Sequence, residues 1–359
     1  MKKVTALCTL IFVIILLCAC TPEQQAAVSS ATPPPATEQP SPTPAGVEKV
    51  FGKQVKIAVI SNGDEAASAL FFAAAKAEAE SMGVQAYTAA AGKEFDNAVA
   101  KSAGEGAAAI IAYLPNKAES YAALESAAQK GTSVSIFEMQ KGDAPAALSQ
   151  TYFNPGKQVE LALEATLAYP PHDTPVRLIA LFESKGGQAA TAYETLKSAG
   201  KVFPKETYVA EGNKTDAKAW LEGKLKSYPA GTIDAIFAED ETLALAALDT
   251  LEAGKRTDME VFTIGLSGQV LTRMQGNPDI FAQAAGANSA YAGKLNVRIA
   301  LSMIKGHAPV KEELAPMVAD AKNLKDKDAA AALADMVTAD EAGKYNETWM
   351  DELRGEYSK

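Results

Sequence analysis

Cysteine is confined to the first twenty residues of this 359-residue chain, at Cys8, Cys18 and Cys20. Everything from Thr21 onward therefore lacks a thiol, which excludes a disulfide or a thiolate metal site as the source of its stability. Histidine is nearly as scarce: His172 follows Pro170-Pro171 and His307 follows Gly306, both turn settings. A two-histidine metal site would need both, and a Ser/His/Asp triad would need one of them. Basic residues are outnumbered, 34 Lys and Arg against 44 Asp and Glu, for a net charge of −10. No stretch gathers lysine and arginine with interleaved aromatics, so nucleic acid is excluded as an expected partner. Long apolar runs are absent beyond the N-terminus. At 48% hydrophobic and 22% charged, the remainder can bury a large core and is long enough for two domains.

The one long apolar run, Val4 to Leu17, follows Lys2-Lys3. At helical rise it spans roughly 21 Å, short of the roughly 30 Å hydrocarbon core, which reads as a signal peptide over 1–19. It ends in Leu17-Cys18-Ala19-Cys20, which resembles the lipobox of bacterial lipoproteins. That resemblance implies lipidation of Cys20 as the mature N-terminus and an extracytoplasmic, membrane-anchored protein. The alternative is an ordinary cleaved signal with incidental cysteines. Thr21 to Pro44 holds seven of the 18 prolines among Thr, Ser, Ala and Gln. Such a composition cannot bury enough apolar surface to order itself, so residues 20–50 are expected to be an anchor and tether. In polyproline II form the segment could reach roughly 70 Å.

The body alternates short apolar runs with helical periodicity. "VKIAVI" (55–60) precedes a helix, then "VQAYT", a helix over 95–103, "AAAIIAY", a helix over 117–130, and "TSVSIF". Gly83, Gly106 and Gly131 stand where each helix hands over to a strand, as left-handed helix caps would. A helix over 155–167 and the break at 169–173 end this series. A second begins with "VRLIALF" (176–182), a helix over 188–198, "TYVAE", a helix over 215–227, "IDAIFA", another helix and "EVFTIG". Strand-helix alternation predicts an α/β fold of two lobes, each an open parallel sheet flanked by helices. Ligands in such sheets bind beyond the carboxyl ends of the strands. Those ends are Ser61-Asn62, Tyr113 to Asn116, Phe137 to Gln140, Glu183 to Lys185, Glu239-Asp240 and Leu266-Ser267, each polar where its strand is not. The same residue types also cap helices, so either role fits each position taken singly.

"AIFAEDETLALAALDTLEAGK", "VFTIGLSG" and "TSVSIFEMQ" resemble the periplasmic-binding-protein family of the ribose type, the receptors of ABC importers. The resemblance runs from about Val55 to about Glu313, and the family shares its fold with the ligand domains of LacI-like repressors. No helix-turn-helix segment precedes the body, which leaves the repressor branch out. The resemblance implies two Rossmann-like lobes joined by three crossing strands around a ligand cleft. The first lobe is expected over 55–152 plus 286–308, the second over 153–285 plus 309–320, and a C-terminal tail over 321–359, of which 329–337 reads as a helix. Carried over by position, Ser61, Asn62, Tyr113 and Glu138 belong to the ligand site in the first lobe. Lys185, Tyr193, Asp240 and Ser267 belong to it in the second, with Asn154 and Asn288 at the first and last crossings.

The family's pattern is not complete here. Met139 and Tyr193 stand where sugar receptors often carry arginine, Tyr113 where asparagine is common, and Ser267 where aspartate is common. Bonds to charged groups contribute roughly 1.5–3 kcal/mol against nearer 1 for neutral ones, so the site has fewer grips on hydroxyls. A ligand with flat or apolar surface lying on Tyr113 or Tyr193 fits this pattern, as does a sugar. Phe71-Phe72 resembles the family's sugar-stacking pair but is one helical turn late, which makes core packing its alternative. Glu239 and Glu241 are expected to face solvent beside a helix N-terminus, with Asp240 toward ligand or serving as the cap.

An enzyme is disfavoured. Glu239 and Glu241, two residues apart on one turn, are poorly placed to flank a glycosidic bond. Ser184-Lys185-Gly186-Gly187 lacks both phosphate-loop patterns, and "DAKNLKDKDAAA" lacks the EF-hand glycine and spacing. No cofactor or metal is expected. The partners implied are a small-molecule ligand, the membrane through Cys20, and an ABC permease or a membrane sensor kinase, for a protein that works as a monomer.

Overall fold

A computed structural model describes residues 45–116, 121–168, 175–324, 328, 332–333 and 336–357. The signal segment, Cys20, His172 and most of the expected 329–337 helix lie outside the described residues. Residues Ala45–Phe51 form a helix, α1, whose Val47 is buried in the first lobe. The body thus includes residues 45–50 of the stretch expected as tether, where Val47 and Val50, with Phe51 beyond, give the helix an apolar face.

Two six-stranded sheets organise the body. The first contains β1 (Lys56–Ser61), β2 (Gln85–Ala90), β3 (Ala109–Leu114), β4 (Ser133–Glu138) and β5 (Ser149–Phe153), together with β11 (Lys311–Leu314). Its order is β11-β5-β4-β3-β1-β2, all parallel. The second contains β6 (Val176–Phe182), β7 (Val202–Val209), β8 (Ala235–Ala238), β9 (Glu260–Ile264) and β10 (Phe281–Gly286), with an antiparallel edge strand β12 (Met317–Asp320). Its order is β12-β10-β9-β8-β6-β7. Residues 311–314 thus pair with β5 of the first sheet, whereas the sequence reading put 309–320 wholly in the second lobe. "KEEL" carries three charges in four residues, and such an edge strand has no apolar pattern that assigns it to either sheet.

Period-two alternation sends each strand's side chains to opposite faces. In β1, Ile57 and Val59 enter one core cluster while Ala58 and Ile60 enter another. In β8, Ala235 and Phe237 face one way, Ile236 and Ala238 the other. Helices α2 (Glu65–Ser81), α3 (Phe95–Gly104), α4 (Ala122–Gln129) and α10 (Ser289–Ile304) cover the first sheet. Helices α5 (Pro155–Leu167), α6 (Gln188–Ser198), α7 (Ala217–Leu225), α8 (Glu241–Gly254), α9 (Gly268–Gly276) and the short α11 (Ala321–Leu324) cover the second. Gly83, Gly106 and Gly131 take φ of 70°, 81° and 92°, the left-handed caps that their positions predict. Edge strand β7 begins at Val202, ahead of the "TYVAE" expected from sequence. Pro204 lies in it beside a register shift, a residue tolerated at a sheet edge but one that hides a strand from pattern reading.

Three crossings join the lobes, and their positions decide where a cleft lies. The chain leaves the carboxyl end of β5 at Phe153 and starts α5 of the second lobe at Pro155. It leaves the carboxyl end of β10 at Gly286 and starts α10 of the first lobe at Ser289. It passes from Leu314 of β11 to Met317, which pairs with Gly286 at the carboxyl end of β10. All three short links connect carboxyl edges, so those edges face each other. The tail then docks on the body: after α11 come α12 (Ala339–Gly343) and α13 (Thr348–Tyr357), the latter packed against α1 and α2.

Candidate ligand cleft

On the first lobe, the loop after β1 is built around Ser61. Its buried hydroxyl accepts from the Gly63 N–H at 3.0 Å and from the Ser68 hydroxyl at 2.7 Å, which turns the chain into α2. The neighbouring Asn62 is half-buried and exchanges bonds with Asn116 of the next loop: its Nδ2 donates to the Asn116 carbonyl at 3.0 Å, and Asn116 Nδ2 donates back at 3.1 Å. These two loops are therefore one polar surface. At the end of β4, Glu138 is buried, 4% exposed, and accepts from the Tyr121 hydroxyl at 2.7 Å and from Gln150 Nε2. Burial, reinforced by the bond to Glu138, pushes the Tyr121 hydroxyl well above its ordinary value. Burial also pulls the Lys311 ammonium down, although the charge of Glu138 opposes it. A depression of about 430 Å³ opens beside Glu138, bounded by Leu114, Pro115, Tyr121, Met139, Lys141 and Asp143.

Tyr113 lies beneath this surface, 4% exposed, in a cluster of three mutually stacked rings: its centroid is 4.9 Å from Phe71 and 5.0 Å from Phe137, which are 5.4 Å from each other. The ring is buried in that cluster, and its hydroxyl lies 3.7 Å from Met139 Sδ. Burial raises that hydroxyl to about 12. Phe71 and Phe72 are core residues, 0% and 9% exposed, because α2 turns them onto the sheet.

On the second lobe, Asp240 stands in the turn between β8 and α8. Its Oδ1 caps α8 by accepting from the Leu243 N–H at 2.9 Å, and Oδ2 pairs with the Lys214 ammonium. Lys214 also pairs with Glu183 at the end of β6, so one cation bridges two strand ends. Burial pulls the Lys214 ammonium down, yet the two carboxylates outweigh it and leave it raised. Glu239 and Glu241 are half-buried rather than solvent-facing. Glu239 accepts from the Glu183 N–H at 2.7 Å, and Glu241 accepts from the Ser267 N–H at 2.8 Å. Each ties its own turn to the next strand's turn, and burial pushes both carboxyls up from the usual range. A short polar triplet between strand and helix gave the sequence reading no way to see that the neighbouring loops supply these donors. Gly265 has φ 118°, and a Cβ there would meet Glu241 Cγ at 2.4 Å, so this close approach requires glycine.

The remaining predicted positions divide. Ser267 and Asn154 are helix N-caps, accepting from Val270 at 3.3 Å and Gly156 at 2.9 Å. Asn288, 2% exposed at the second of the three links rather than the last, caps α10 through the Tyr291 N–H at 2.9 Å, and its Nδ2 donates to the Leu333 carbonyl at 2.6 Å. Lys185 is exposed, on the loop after β6. Tyr193 is fully buried on the inner face of α6 against Phe182, its ring centroid 5.3 Å away, and offers no surface to a ligand. With Ala189 and Ala190 one turn earlier, it continues the apolar stripe of that helix. Lys214, Tyr121 and Gln150 are the cleft-edge residues that sequence reasoning missed. Lys214 follows β7 in "EGNKTD", a turn that the sequence reading did not count among the polar strand ends.

This two-lobe architecture has counterparts in solved structures. The chain has the fold of solute-binding proteins. A sugar ABC transporter structure from Yersinia enterocolitica subsp. enterocolitica 8081 superposes with a TM-score of 0.62 at 21% identity, covering 88% of this chain and 99% of that one. A 5-methylthioribose transporter solute-binding protein from Thermotoga lettingae, in complex with 5-methylthioribose, gives 0.57 at 15% identity over 84% and 98%. An ABC transporter solute-binding protein from Bacillus halodurans with bound myo-inositol gives 0.54 at 15% identity over 76% and 96%. No family model and no curated protein sequence matches the chain. The likeness is thus one of fold, shared with binders of differing solutes rather than with the ribose type alone. Among the described residues no cluster of three or more His, Cys, Asp or Glu could hold a metal ion, and no helix is long and apolar enough to cross a membrane.

Proposed function

We propose that this chain is an extracytoplasmic solute-binding protein, held to the membrane by lipid on Cys20, that captures a small polar molecule between its lobes and delivers it to an ABC permease. One observation carries the reading: three short links join the carboxyl edges of two sheets, so polar strand ends from both lobes confront one another. Contacts that need both lobes are what allow a ligand to favour closure. The proposed contacts are Asn62, Asn116 and Glu138 from the first lobe, and Lys185, Lys214, Asp240 and Ser267 from the second, with Asn154 and Asn288 at the links. Ser61 supports this surface from beneath, and Tyr113 supplies only its hydroxyl edge. Carboxylates outnumber ammonium groups along these edges, with Glu138, Asp143, Glu183, Glu239, Asp240 and Glu241 against Lys141, Lys185 and Lys214. That balance suits a neutral polyol or sugar, whose hydroxyls donate, and disfavours an anion. No catalytic role is assigned to any residue.

The test is mass spectrometry of small molecules released from natively purified protein, followed by thermal-shift screening of pentoses, inositols, 5-methylthioribose, nucleosides and aromatic metabolites. A true ligand at a hundred times its Kd stabilises by about 2.7 kcal/mol, a readily measured shift. A preparation that releases no solute and is stabilised by none of these classes would overturn the reading. For the anchor, a Cys20→Ser chain is expected in the soluble fraction while the unaltered chain stays with membranes.

A further inference from the structure

The two sheets end in four edge strands, and three of these are guarded against further pairing. β11 carries Lys311, Glu312 and Glu313 within four residues. β7 holds Pro204 beside a register shift, followed by Lys205 and Glu206. β12 is four residues long, ends in Asp320 and runs directly into α11. β2 differs: "QAYTAA" has no charge, no proline and an unbroken register with β1. The Gln85 N–H donates to the Val55 carbonyl at 3.3 Å and the Ala91 N–H to the Ser61 carbonyl at 2.9 Å, so odd-numbered residues turn their main-chain groups toward β1. Alternation then turns those of Ala86, Thr88 and Ala90 to the outer edge, where no partner meets them among the described residues. Tyr87 of this strand is 39% exposed, one of two large hydrophobic side chains so open among the described residues. The other, Phe203, lies under the Lys205 ammonium at 4.5 Å.

We propose that β2 pairs antiparallel with β2 of a second copy of this chain, about a two-fold axis at Thr88. The outward main-chain groups fix that register. Thr88 opposes Thr88 of the other copy, and Ala86 opposes Ala90 on either side, hydrogen-bonded pairs that together exchange about six main-chain bonds. Opposed residues share a face, so the two threonines meet on one face. On the other, Tyr87 meets Ala89, and the two Tyr87 rings are diagonal neighbours within aromatic reach. Charges complement one another at both ends of the pairing. Ala91 falls opposite Gln85, which carries the turn Gly92–Glu94 over a depression of about 360 Å³ bounded by Lys56, Gln85, Tyr87 and Glu105. The exposed Lys93 and Glu94 of one copy thus stand over Glu105 and Lys56 of the other. A single short edge makes a small interface, in the weak class below about 1,200 Å². β2 is farthest in sheet order from β5 and β11, which lead into two of the three links, so the pairing leaves the hinge free. It does not depend on the ligand, and it departs from the monomer expected from the sequence.

Sedimentation equilibrium of the full chain, with Cys20→Ser so that lipid plays no part in association, tests the pairing. The expected result is a monomer-dimer equilibrium at concentrations up to about 1 mM. Thr88 is exposed, so Thr88→Lys and Thr88→Glu leave the fold intact. Each alone sets like charges opposite one another and should raise the dissociation constant roughly fivefold, while an equimolar mixture of the two should restore it. Register is read by cross-linking in a chain that also carries Cys8→Ser and Cys18→Ser. With an added oxidant, Thr88→Cys should form a disulfide dimer, since a hydrogen-bonded pair holds its Cα atoms about 5.5 Å apart. Tyr87→Cys should not, because its diagonal copies lie about 7–8 Å apart. A chain that stays monomeric throughout overturns the proposal. So does a dimer indifferent to both charges, which would use another surface. Slow hydrogen exchange at the Ala86, Thr88 and Ala90 amides of a monomer would assign the edge to the chain's own N-terminal segment and overturns it equally.

Discussion

Two glycine-to-alanine substitutions in helices should change stability with opposite signs. Gly293 lies in α10 where it crosses α2; a Cβ there would stand 2.5 Å from the Phe71 carbonyl oxygen and 3.1 Å from the Ala75 nitrogen. Ordinary contact begins near 3.4 Å, so the helices must separate by roughly 0.9 Å, the difference between 3.4 and 2.5 Å. Both obstructing atoms are backbone, and no side chain can rotate away. Overpacking of this kind costs up to about 3 kcal/mol, and alanine's helix propensity returns about 1, leaving Gly293→Ala destabilised by about 2 kcal/mol. Gly223 in α7 is exposed with nothing within 4 Å of its would-be Cβ. There only propensity acts, and Gly223→Ala should stabilise by about 0.5–1 kcal/mol. Urea denaturation of the two variants beside the unaltered chain measures both. Because Phe71 stacks on Tyr113 and Phe137, the Gly293 variant should also bind its ligand more weakly. Equal stabilisation by the two substitutions would refute the inferred helix contact.

Two further predictions concern the second-lobe edge. Burial raises the Glu241 carboxyl, so its contribution to stability is present below the ordinary carboxylate range and is lost as pH rises through the raised value. Glu241→Gln keeps an acceptor for the Ser267 N–H without the charge; its Tm relative to the unaltered chain should climb between pH 4 and pH 7, and a constant difference would contradict the buried placement. Asp240 has two roles that two substitutions separate. Asp240→Ala should cost about 1 kcal/mol through the lost cap on α8, whereas Asp240→Asn keeps an acceptor for Leu243 and stays within a few tenths. Calorimetry should show weakened ligand binding in both variants, and an asparagine variant that binds like the original would remove the Asp240 charge from the site.

Much of the α/β architecture is legible from local pattern. Alternation in β1 and β8, and the glycines at 83, 106 and 131, mark elements by rules that act within a few residues. Misjudged elements fail for equally local reasons: Pro204 masks the start of β7, and "KEEL" has no apolar side to reveal β11. The site was less legible because its roles are set by partners far away in sequence. Tyr113 lies at a strand end and Tyr193 in mid-helix, and only packing shows that a ring cluster buries one and the inner face of α6 buries the other. Glu239 and Glu241 looked solvent-facing until the Glu183 and Ser267 amides stood beside them. The tail carried no motif at all, and only tertiary packing sets its last helix against α1 and α2.

The order of residues by itself determined the repeating strand-helix units, the polar character of the strands' carboxyl ends and the scarcity of cysteine and histidine that argues against thiolate and histidine chemistry. These follow from spacing and composition, which need no partner. Tertiary structure alone decided that Glu239 and Glu241 tie neighbouring loops, that Lys214 bridges two strand ends, and that the last helix docks on α1 and α2. Those outcomes depend on desolvation and on donors brought from 26 to more than 200 residues away, and no local pattern encodes such distances.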